Sequence, residues 1–227
     1  MGDTGIGAVD FERQLDLVDV ASLHELPITV IGAGGIGSPT VLFLAKMGCR
    51  RITVYDHDIV AAHNVPNQII YGPQHIGHAK VAALQSVIEF LTGTRITTHA
   101  VEWVDQPLRG VVISAVDDMD VRAKIWTHCE MNVRVPLFID GRMGGQLYHI
   151  FAARPCDEES AAMYRSTLFP QSEAVELSCT ARAIIYTATI GGEIAHLVKC
   201  AVMREPIPAF TCRDFVGRFM EFSGEVS

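Results

Sequence analysis

The sequence has no two cysteines close enough to form a Cys-x-x-Cys motif, although it contains six cysteines. Because paired cysteines are the usual sign of a four-cysteine zinc site, we expect no structural zinc. The scattered spacing in a chain of 227 residues fits reduced thiols better than a disulfide framework, which predicts a cytoplasmic protein. The cysteines are at positions 49, 129, 156, 179, 200 and 212.

Basic residues are also few, since 18 Lys and Arg stand against 26 Asp and Glu and give a net charge of −8. Nucleic-acid binding depends on concentrated Lys and Arg, so this balance predicts no nucleic-acid partner. A long uninterrupted apolar run is missing as well, because the most apolar stretch, 181–203, contains Arg182, Glu193 and Lys199. We therefore expect neither a membrane span nor a membrane partner.

Enough of the chain is hydrophobic to build a core, with 49% hydrophobic residues and a mean hydropathy of +0.25. This composition excludes intrinsic disorder, and the length favours one domain over residues 1–227. Short β-branched runs alternate with helical patterns, which predicts an α/β fold. We expect a Rossmann-like, doubly wound, mainly parallel sheet with antiparallel strands in the second half. The predicted strands are 28–31, 52–55, 96–101, 111–114, 136–139 and 146–153, and the predicted helices are 38–47, 78–90 and 119–131.

The pattern changes after the core of residues 11–153. Residues 154–178 are polar with no sustained period, which predicts a long loop, and a loop of that length is usually functional or disordered. The apolar stretches 181–203 and 213–222 predict C-terminal helices within 181–222. A domain of this size has room to bury one such apolar helix. We therefore expect the two predicted C-terminal helices to form part of a homodimer interface.

A glycine-rich turn follows the first predicted strand and opens the first predicted helix. Gly32, Gly34 and Gly37 have the spacing GxGxxG, and Gly35 lies between them. Glycine at these points permits a sharp turn, close approach of phosphate to backbone amides, and tight packing of the helix on the strand. Asp56 ends the next predicted strand, near the usual distance for a carboxylate that holds a ribose hydroxyl. The turn predicts nucleotide binding but leaves NAD, FAD and ATP open.

Polar residues further along favour a nucleoside triphosphate. Asp58, Asn64, Gln68 and Lys80 follow the second predicted strand. A lysine here neutralises phosphate charge, for which a dehydrogenase has no need. Asp117 comes shortly after the fourth predicted strand, at the edge where ligands bind in open α/β sheets. Mg²⁺ takes one or two carboxylates plus phosphate oxygens, so Asp117 is the predicted metal ligand.

In this order the motifs resemble those of the ThiF/MoeB/HesA family, the bacterial relatives of ubiquitin-activating enzymes. The likeness covers about residues 11–153 and extends more loosely beyond them. The matching elements are Arg13-Gln14, the glycine turn, Asp56-His57-Asp58, Asn64 to Gln68, Lys80, Asp117 to Arg122, and Gly141 to Gln146.

The resemblance implies an ATP-dependent adenylyltransferase with Mg²⁺ as a cofactor. Its partner would be a ubiquitin-like or sulfur-carrier protein, or a peptide, whose C-terminal Gly-Gly carboxylate becomes an acyl-adenylate as pyrophosphate leaves. By the same resemblance Asp56 would hold the ribose. The residues that would contact phosphates or order the site are Asn64, Gln68 and Lys80, and Asp117 would hold the metal.

Two more features follow from the resemblance. Arg13 would reach the triphosphate, often across a dimer interface, and residues 154–178 would form a crossover loop above the partner's tail. Some members of the family carry a cysteine that takes over the activated carboxyl group. Cys179 stands in about that place, before a predicted helix, and a buried structural thiol is the alternative reading of it. Cys156 is the weaker candidate for the same role.

One position departs from the pattern, because Asn67 stands where the family usually has arginine before Gln68. Asparagine lacks the charge and the fork of arginine, so another cation replaces it or adenylation is weakened. The candidate cations are Arg13, Arg142 and Lys80. Two other functions therefore stay open: a catalytically weak scaffold that binds ATP or a ubiquitin-like partner, and an NAD-dependent oxidoreductase of the same fold.

Overall fold

One sheet runs through the centre of the protein, whose computed structural model describes residues 9–173 and 184–226. The described strands pair in the order β3-β2-β1-β4-β5-β6-β7-β8. They are β1 (Pro27–Ile31), β2 (Arg51–Tyr55), β3 (Thr97–His99), β4 (Val111–Ser114), β5 (Leu137–Gly144), β6 (Leu147–Ala153), β7 (Phe210–Asp214) and β8 (Phe219–Ser223). The first five in spatial order are parallel and the last three are antiparallel. The predicted α/β fold class is confirmed.

Helices cover both faces of this sheet, as the alternation along β4 shows. Val111 and Ile113 pack in one core with residues of 37–47, 80–92 and 184–203, whereas Val112 packs in a second core with residues of 119–129 and 158–165. Successive side chains of a strand point to opposite faces, so both faces of the sheet are buried. The helices are α1 (Val20–Glu25), α2 (Gly37–Met47), α3 (Lys80–Thr92), α4 (Met119–Cys129), α5 (Glu158–Arg165) and α6 (Ile184–Met203).

Helix α6 lies directly against α2. A Cβ on Gly191 would approach the backbone nitrogen of Thr40 to 2.9 Å, so the missing side chain permits the close contact. Ile190, Ile194 and Val198 of α6 are fully buried in the chain's own core. The buried face of α6 is therefore covered within one chain and does not by itself require a second copy. Of the other stretch assigned to the interface, 213–222, Phe219 and Phe222 remain exposed.

The segment predicted as a loop, 154–178, contains a helix, α5. The Asp157 side chain accepts a hydrogen bond from the backbone nitrogen of Ser160 and caps the helix, and Glu158 and Glu159 occupy its first turn. Acidic residues there favour helix formation. Tyr164 anchors the helix in the second core. The loop prediction was wrong for residues 158–165, because a helix of two turns is too short to show a clear apolar period. The capping residue Asp157 could have been recognised in the sequence.

The second predicted C-terminal helix, 213–222, is wrong, because these residues belong to the β7–β8 hairpin. Asp214 pairs with Phe219 across the hairpin. The Asp214 side chain accepts a hydrogen bond from the nitrogen of Val216 at 2.8 Å, and Arg218 has a positive φ of 56°. This turn lets β8 pair with β7, which itself pairs with the edge of β6. The local apolar spacing does not reveal either pairing.

Several absences hold for the described ranges alone. None of their helices is long and apolar enough to cross a membrane. They contain no group of three or more His, Cys, Asp or Glu side chains arranged to hold a metal ion. Their cysteines are free thiols, and burial raises the pKa of Cys49 to about 12 and that of Cys200 to about 11. Cys179 lies outside the described residues.

Candidate active site

A cavity of about 360 Å³ opens at the carboxyl ends of the parallel strands. The strand order reverses at β1, because β2 lies on one side of it and β4 on the other. Ligands of open α/β sheets bind in the crevice at such a reversal. Residues at the ends of β1, β2, β4 and β5 line the cavity, among them Gly32, Asp56, Asp117 and Arg142.

The glycine turn forms the floor of this cavity, and two of its glycines are required by the backbone. Gly32 has φ of +100°, and a Cβ there would lie 2.5 Å from the carbonyl oxygen of Ala115. A Cβ on Gly37 would lie 1.8 Å from the carbonyl oxygen of Gly32. These contacts close the turn and bring the start of α2 against the end of β1.

Gly34 serves a different purpose, because a Cβ built on it meets no atom within 4 Å. Gly34 and Gly35 line the cavity, whereas Gly37 does not. The backbone nitrogens of Gly34, Gly35 and Ile36 donate to no acceptor in the described part of the chain. Free amides at the beginning of a helix form an anion site, because the helix dipole favours negative charge at this end. The turn therefore has the open space and the donors that a phosphate needs.

Asp56 is held rigidly beside the turn. One carboxylate oxygen accepts from the nitrogen of Ala33 at 2.7 Å and the other from the nitrogen of Asp58 at 2.8 Å. Each oxygen keeps a lone pair directed elsewhere. The residue lines the cavity at the end of β2, where a carboxylate can accept hydrogen bonds from hydroxyl groups.

Lys80 and Asp58 form an ion pair at the edge of the cavity. The Lys80 Nζ lies 2.7 Å from Asp58 Oδ2, and the lysine side chain is 9% exposed. The hydrogen bond from Lys80 lowers the pKa of the Asp58 carboxyl group against the opposing effect of its partial burial. Lys80 thus presents an oriented ammonium whose charge is already balanced by one carboxylate.

The polar residues between Asp58 and Lys80 separate into two groups. Gln68 lines the cavity, and its buried Oε1 accepts no hydrogen bond from a described residue. Asn64 lies outside the cavity lining, and its Oδ1 accepts from the nitrogen of Ala61 at 2.8 Å to close a short 3-10 turn. Asn67 keeps a buried Oδ1 without a partner in the described ranges. The structure brings Gln68 to the site and uses Asn64 to shape the backbone beside it.

Asp117 is exposed at the opening of the cavity, just beyond β4. Its carboxylate accepts no hydrogen bond from the residues described, whereas the neighbouring Asp118 caps α4 by accepting from the nitrogens of Asp120 and Val121. A free carboxylate beside a phosphate site has the donor chemistry that Mg²⁺ prefers. The residue therefore fits a metal ligand.

Two further predicted residues, besides Gly37 and Asn64, lie outside the lining of this cavity. Arg13 is exposed in the 3-10 turn Glu12–Gln14 and is absent from the lining. Cys156 is exposed before α5 and is also absent from the lining, while Cys179 falls outside the described residues.

A buried cluster of charges behind the cavity was missed by sequence reasoning. Asp140 Oδ1 accepts from Arg122 Nε at 2.7 Å, and Asp140 Oδ2 accepts from Arg142 Nε at 2.7 Å and from the Tyr164 hydroxyl at 3.0 Å. Burial alone would raise the pKa of Asp140, but the two guanidinium groups outweigh it and hold the pKa below its usual range. The signal was an aspartate within an apolar strand, which requires cationic partners when buried.

An aromatic wall at one end of the cavity was missed as well. Tyr55 and Trp103 line the cavity, and Tyr55 stacks on His99 with a centroid distance of 4.6 Å. The Trp103 ring is buried. A flat apolar wall next to a phosphate site fits an aromatic base, and these rings carried no motif that would have marked them.

A model of the ThiF family matches residues 11–224. The chain belongs to the ThiF family. The match extends over the β7–β8 hairpin, so the C-terminal strands are part of the family domain.

Curated relatives carry names of adenylyltransferases. This ThiF-family chain is 34% identical over 154 residues to "Adenylyltransferase and sulfurtransferase MOCS3" of Arabidopsis thaliana, covering 60% of this chain and 32% of the relative. It is 27% identical over 237 residues to the protein of that name from Anopheles gambiae, covering 96% of this chain and 50% of the relative. The chain thus spans between a third and a half of the length of these relatives.

Solved structures share the fold at low sequence identity. The crystal structure of E. coli MccB with ATP has a TM-score of 0.74 and 13% identity, and the match covers 92% of this chain and 66% of that one. The crystal structure of PaaA has a TM-score of 0.73 and 14% identity, with 100% and 78% covered. At these identities the likeness supports the ThiF-like fold alone.

Proposed function

We propose that this chain is a ThiF-type adenylyltransferase that activates the C-terminal carboxylate of a carrier protein or peptide with ATP. The observation that carries the proposal is the glycine turn, with free amides at Gly34, Gly35 and Ile36 and open space above Gly34. The names of the curated relatives support the reaction, and the ATP in the MccB crystal structure supports the nucleotide.

The polar residues in and beside the cavity then have roles set by their surroundings. Asp56 accepts hydrogen bonds from the ribose hydroxyls. The amides of the turn, Gln68 and the Lys80 ammonium contact phosphate oxygens, and Asn64 orders the backbone beside them. Asp117 holds Mg²⁺, which would neutralise phosphate charge when bound. The protein contributes mainly positioning and charge stabilisation.

The proposed step is a displacement at phosphorus. A carboxylate oxygen of the substrate bonds to the α-phosphorus of ATP, and the bond from that phosphorus to the bridging oxygen breaks. Pyrophosphate leaves with the electron pair, and the acyl-adenylate remains. The lining contains no residue that must accept a proton in this step, because the carboxylate is already ionised at neutral pH.

The partner in this proposal is a ubiquitin-like or sulfur-carrier protein, or a peptide, that ends in Gly-Gly. Arg13 acts on the triphosphate from the second subunit of a homodimer, which is compatible with its exposure and with its absence from the lining in its own chain. A dissociated monomer at micromolar concentration in analytical sedimentation would contradict the dimer.

ATP–pyrophosphate exchange with peptides ending in Gly-Gly tests the reaction. Asp117→Asn should reduce exchange by roughly 100-fold or more, as expected for loss of one charge-stabilising group. Asp105→Asn is the matched control, since Asp105 is exposed and lies outside the cavity lining. Equal exchange in both variants would refute the role of Asp117. ATP binding without exchange would favour the scaffold, and NADH binding in place of ATP would favour the oxidoreductase.

A thioester step extends the proposal. The Cys179 thiolate would attack the acyl carbon of the adenylate and AMP would leave, carrying the electron pair of the broken carbon–oxygen bond. Cys179→Ala should abolish a carrier adduct that is cleaved by reductant, while Cys156→Ala should retain it. An adduct that persists in Cys179→Ala would exclude this residue as the acceptor.

A further inference from the structure

Arg142 lies at the far end of the cavity from Asp56. The spatial order of the strands is β2-β1-β4-β5, so the glycine turn and Asp117 fall between the two residues. The register pairs Ser114, the last residue of β4, with Asp140 of β5. Arg142 therefore stands two residues beyond the end of β4, where the cavity wall continues past the parallel sheet.

The charges of the described lining residues single out Arg142. Lys80 is paired with Asp58, and Arg122 is buried with its nitrogens donating to Asp140, to Met119 Sδ and to the carbonyl oxygen of Val116. Arg122 and Arg142 share one buried carboxylate, that of Asp140, so neither guanidinium has a carboxylate partner to itself. The Arg142 side chain is 16% exposed, in contrast to 4% for Arg122.

Two donors of Arg142 remain available. A guanidinium has five N–H groups. One of them donates to Asp140, and one from each terminal nitrogen donates to the carbonyl and hydroxyl oxygens of Thr167, both at 2.9 Å. Each terminal nitrogen thus keeps one N–H that no described residue accepts.

The side chain is also fixed in place. Its Cζ lies 4.4 Å from the centroid of the Phe151 ring, and the contacts to Asp140 and Thr167 fix the plane of the guanidinium. A guanidinium that is already oriented loses little conformational entropy when it binds an anion.

We infer that Arg142 binds the reacting carboxylate of the acyl substrate, and then the carbonyl oxygen that remains in the adenylate. This inference rests on the proposed function. With the ribose proposed at Asp56 and the phosphates at the glycine turn, the lining beside β5 is the part of the cavity left for the second anion. The guanidinium, oriented by Asp140 and Thr167, would donate one of its remaining N–H groups to an oxygen of that anion and supply a positive charge.

Binding of two probes tests the inference. AMP carries the nucleotide alone, and the glycyl sulfamate of adenosine is a stable analogue of an acyl-adenylate. Arg142→Gln should weaken binding of the glycyl sulfamate by about 10- to 100-fold, and the affinity for AMP should change less than about threefold. Arg142→Lys keeps the charge beside Asp140 but loses the planar guanidinium. It should therefore also weaken binding of the glycyl sulfamate more than binding of AMP.

Arg165→Gln is the matched control, since Arg165 is an exposed residue of α5 that pairs with Glu130 and lies outside the cavity lining. It should bind both probes as wild type does, and thermal melting checks that each variant is folded. An equal loss of both probes in Arg142→Lys would assign the residue to the nucleotide phosphate and overturn the inference. Unchanged binding in that variant and in Arg142→Gln would also overturn it. Failure of wild type to bind AMP or the sulfamate would instead reject the proposed function, and the inference with it.

Discussion

Asp140→Asn is expected to lower the free energy of unfolding by about 3–5 kcal/mol, the cost of removing one partner from a buried charge cluster. Asp140 is fully buried between the guanidinium groups of Arg122 and Arg142 and accepts from the Tyr164 hydroxyl. In asparagine one of the two acceptor oxygens becomes an NH2 donor that faces an arginine N–H, and the negative charge is lost, so the two guanidinium groups would remain without a counter-charge. For a protein whose total stability is about 5–15 kcal/mol, this is a large fraction.

Urea unfolding monitored by fluorescence measures this effect, and Asp118→Asn is the control. Asp118 caps α4 through its side-chain oxygen. Because asparagine caps a helix about as well as aspartate, Asp118→Asn should lower the free energy of unfolding by no more than about 1 kcal/mol. A similar loss in both variants would contradict the role given to Asp140.

The pH dependence of this difference follows from the lowered pKa of Asp140. A carboxyl group with a depressed folded-state pKa stabilises the protein fully above its unfolded-state pKa, and the contribution is lost as pH falls through the lower folded-state value. The stability difference between wild type and Asp140→Asn should therefore be constant from about pH 6 to about pH 8 and should shrink only in acid.

The parallel half of the fold could be predicted because its determinants are local. The β-branched strand β1, the glycine turn and helix α2 follow one another directly, and each carries its own pattern. The predicted strand 136–139 instead extends to Gly144, and the predicted helix 119–131 ends at Cys129. The end of β5 depends on its pairing with β6, and the end of α4 depends on the path of the chain beyond it. Neither can be predicted from the local sequence pattern.

The candidate site divides in the same way. Asp56, Lys80 and Asp117 could be placed because short motifs tie them to strand ends, and all three line the cavity. The cluster around Asp140 could not be assembled, since Tyr164 reaches it from α5, 24 positions along the chain. Such a network is visible only once β5 and α5 are packed together.

Gly37→Ala is expected to lower the free energy of unfolding by about 3 kcal/mol, at the upper end of the usual cost of overpacking. Its Cβ would lie 1.8 Å from the carbonyl oxygen of Gly32. That oxygen belongs to the backbone and cannot rotate away as a side chain would. The start of α2 must therefore move from β1, which would also misplace the amides proposed to bind phosphate.

Gly34→Ala makes the matched comparison, because the same methyl group three residues earlier meets no atom within 4 Å. Its φ is not in the left-handed region, so the stability should change by less than about 1 kcal/mol. The methyl group would instead occupy the space where a phosphate approaches the amides, and ATP affinity measured by calorimetry should fall at least about tenfold. Unchanged ATP affinity in Gly34→Ala would show that the glycine turn does not bind the nucleotide. A loss of stability equal to that of Gly37→Ala would contradict the open space above Gly34.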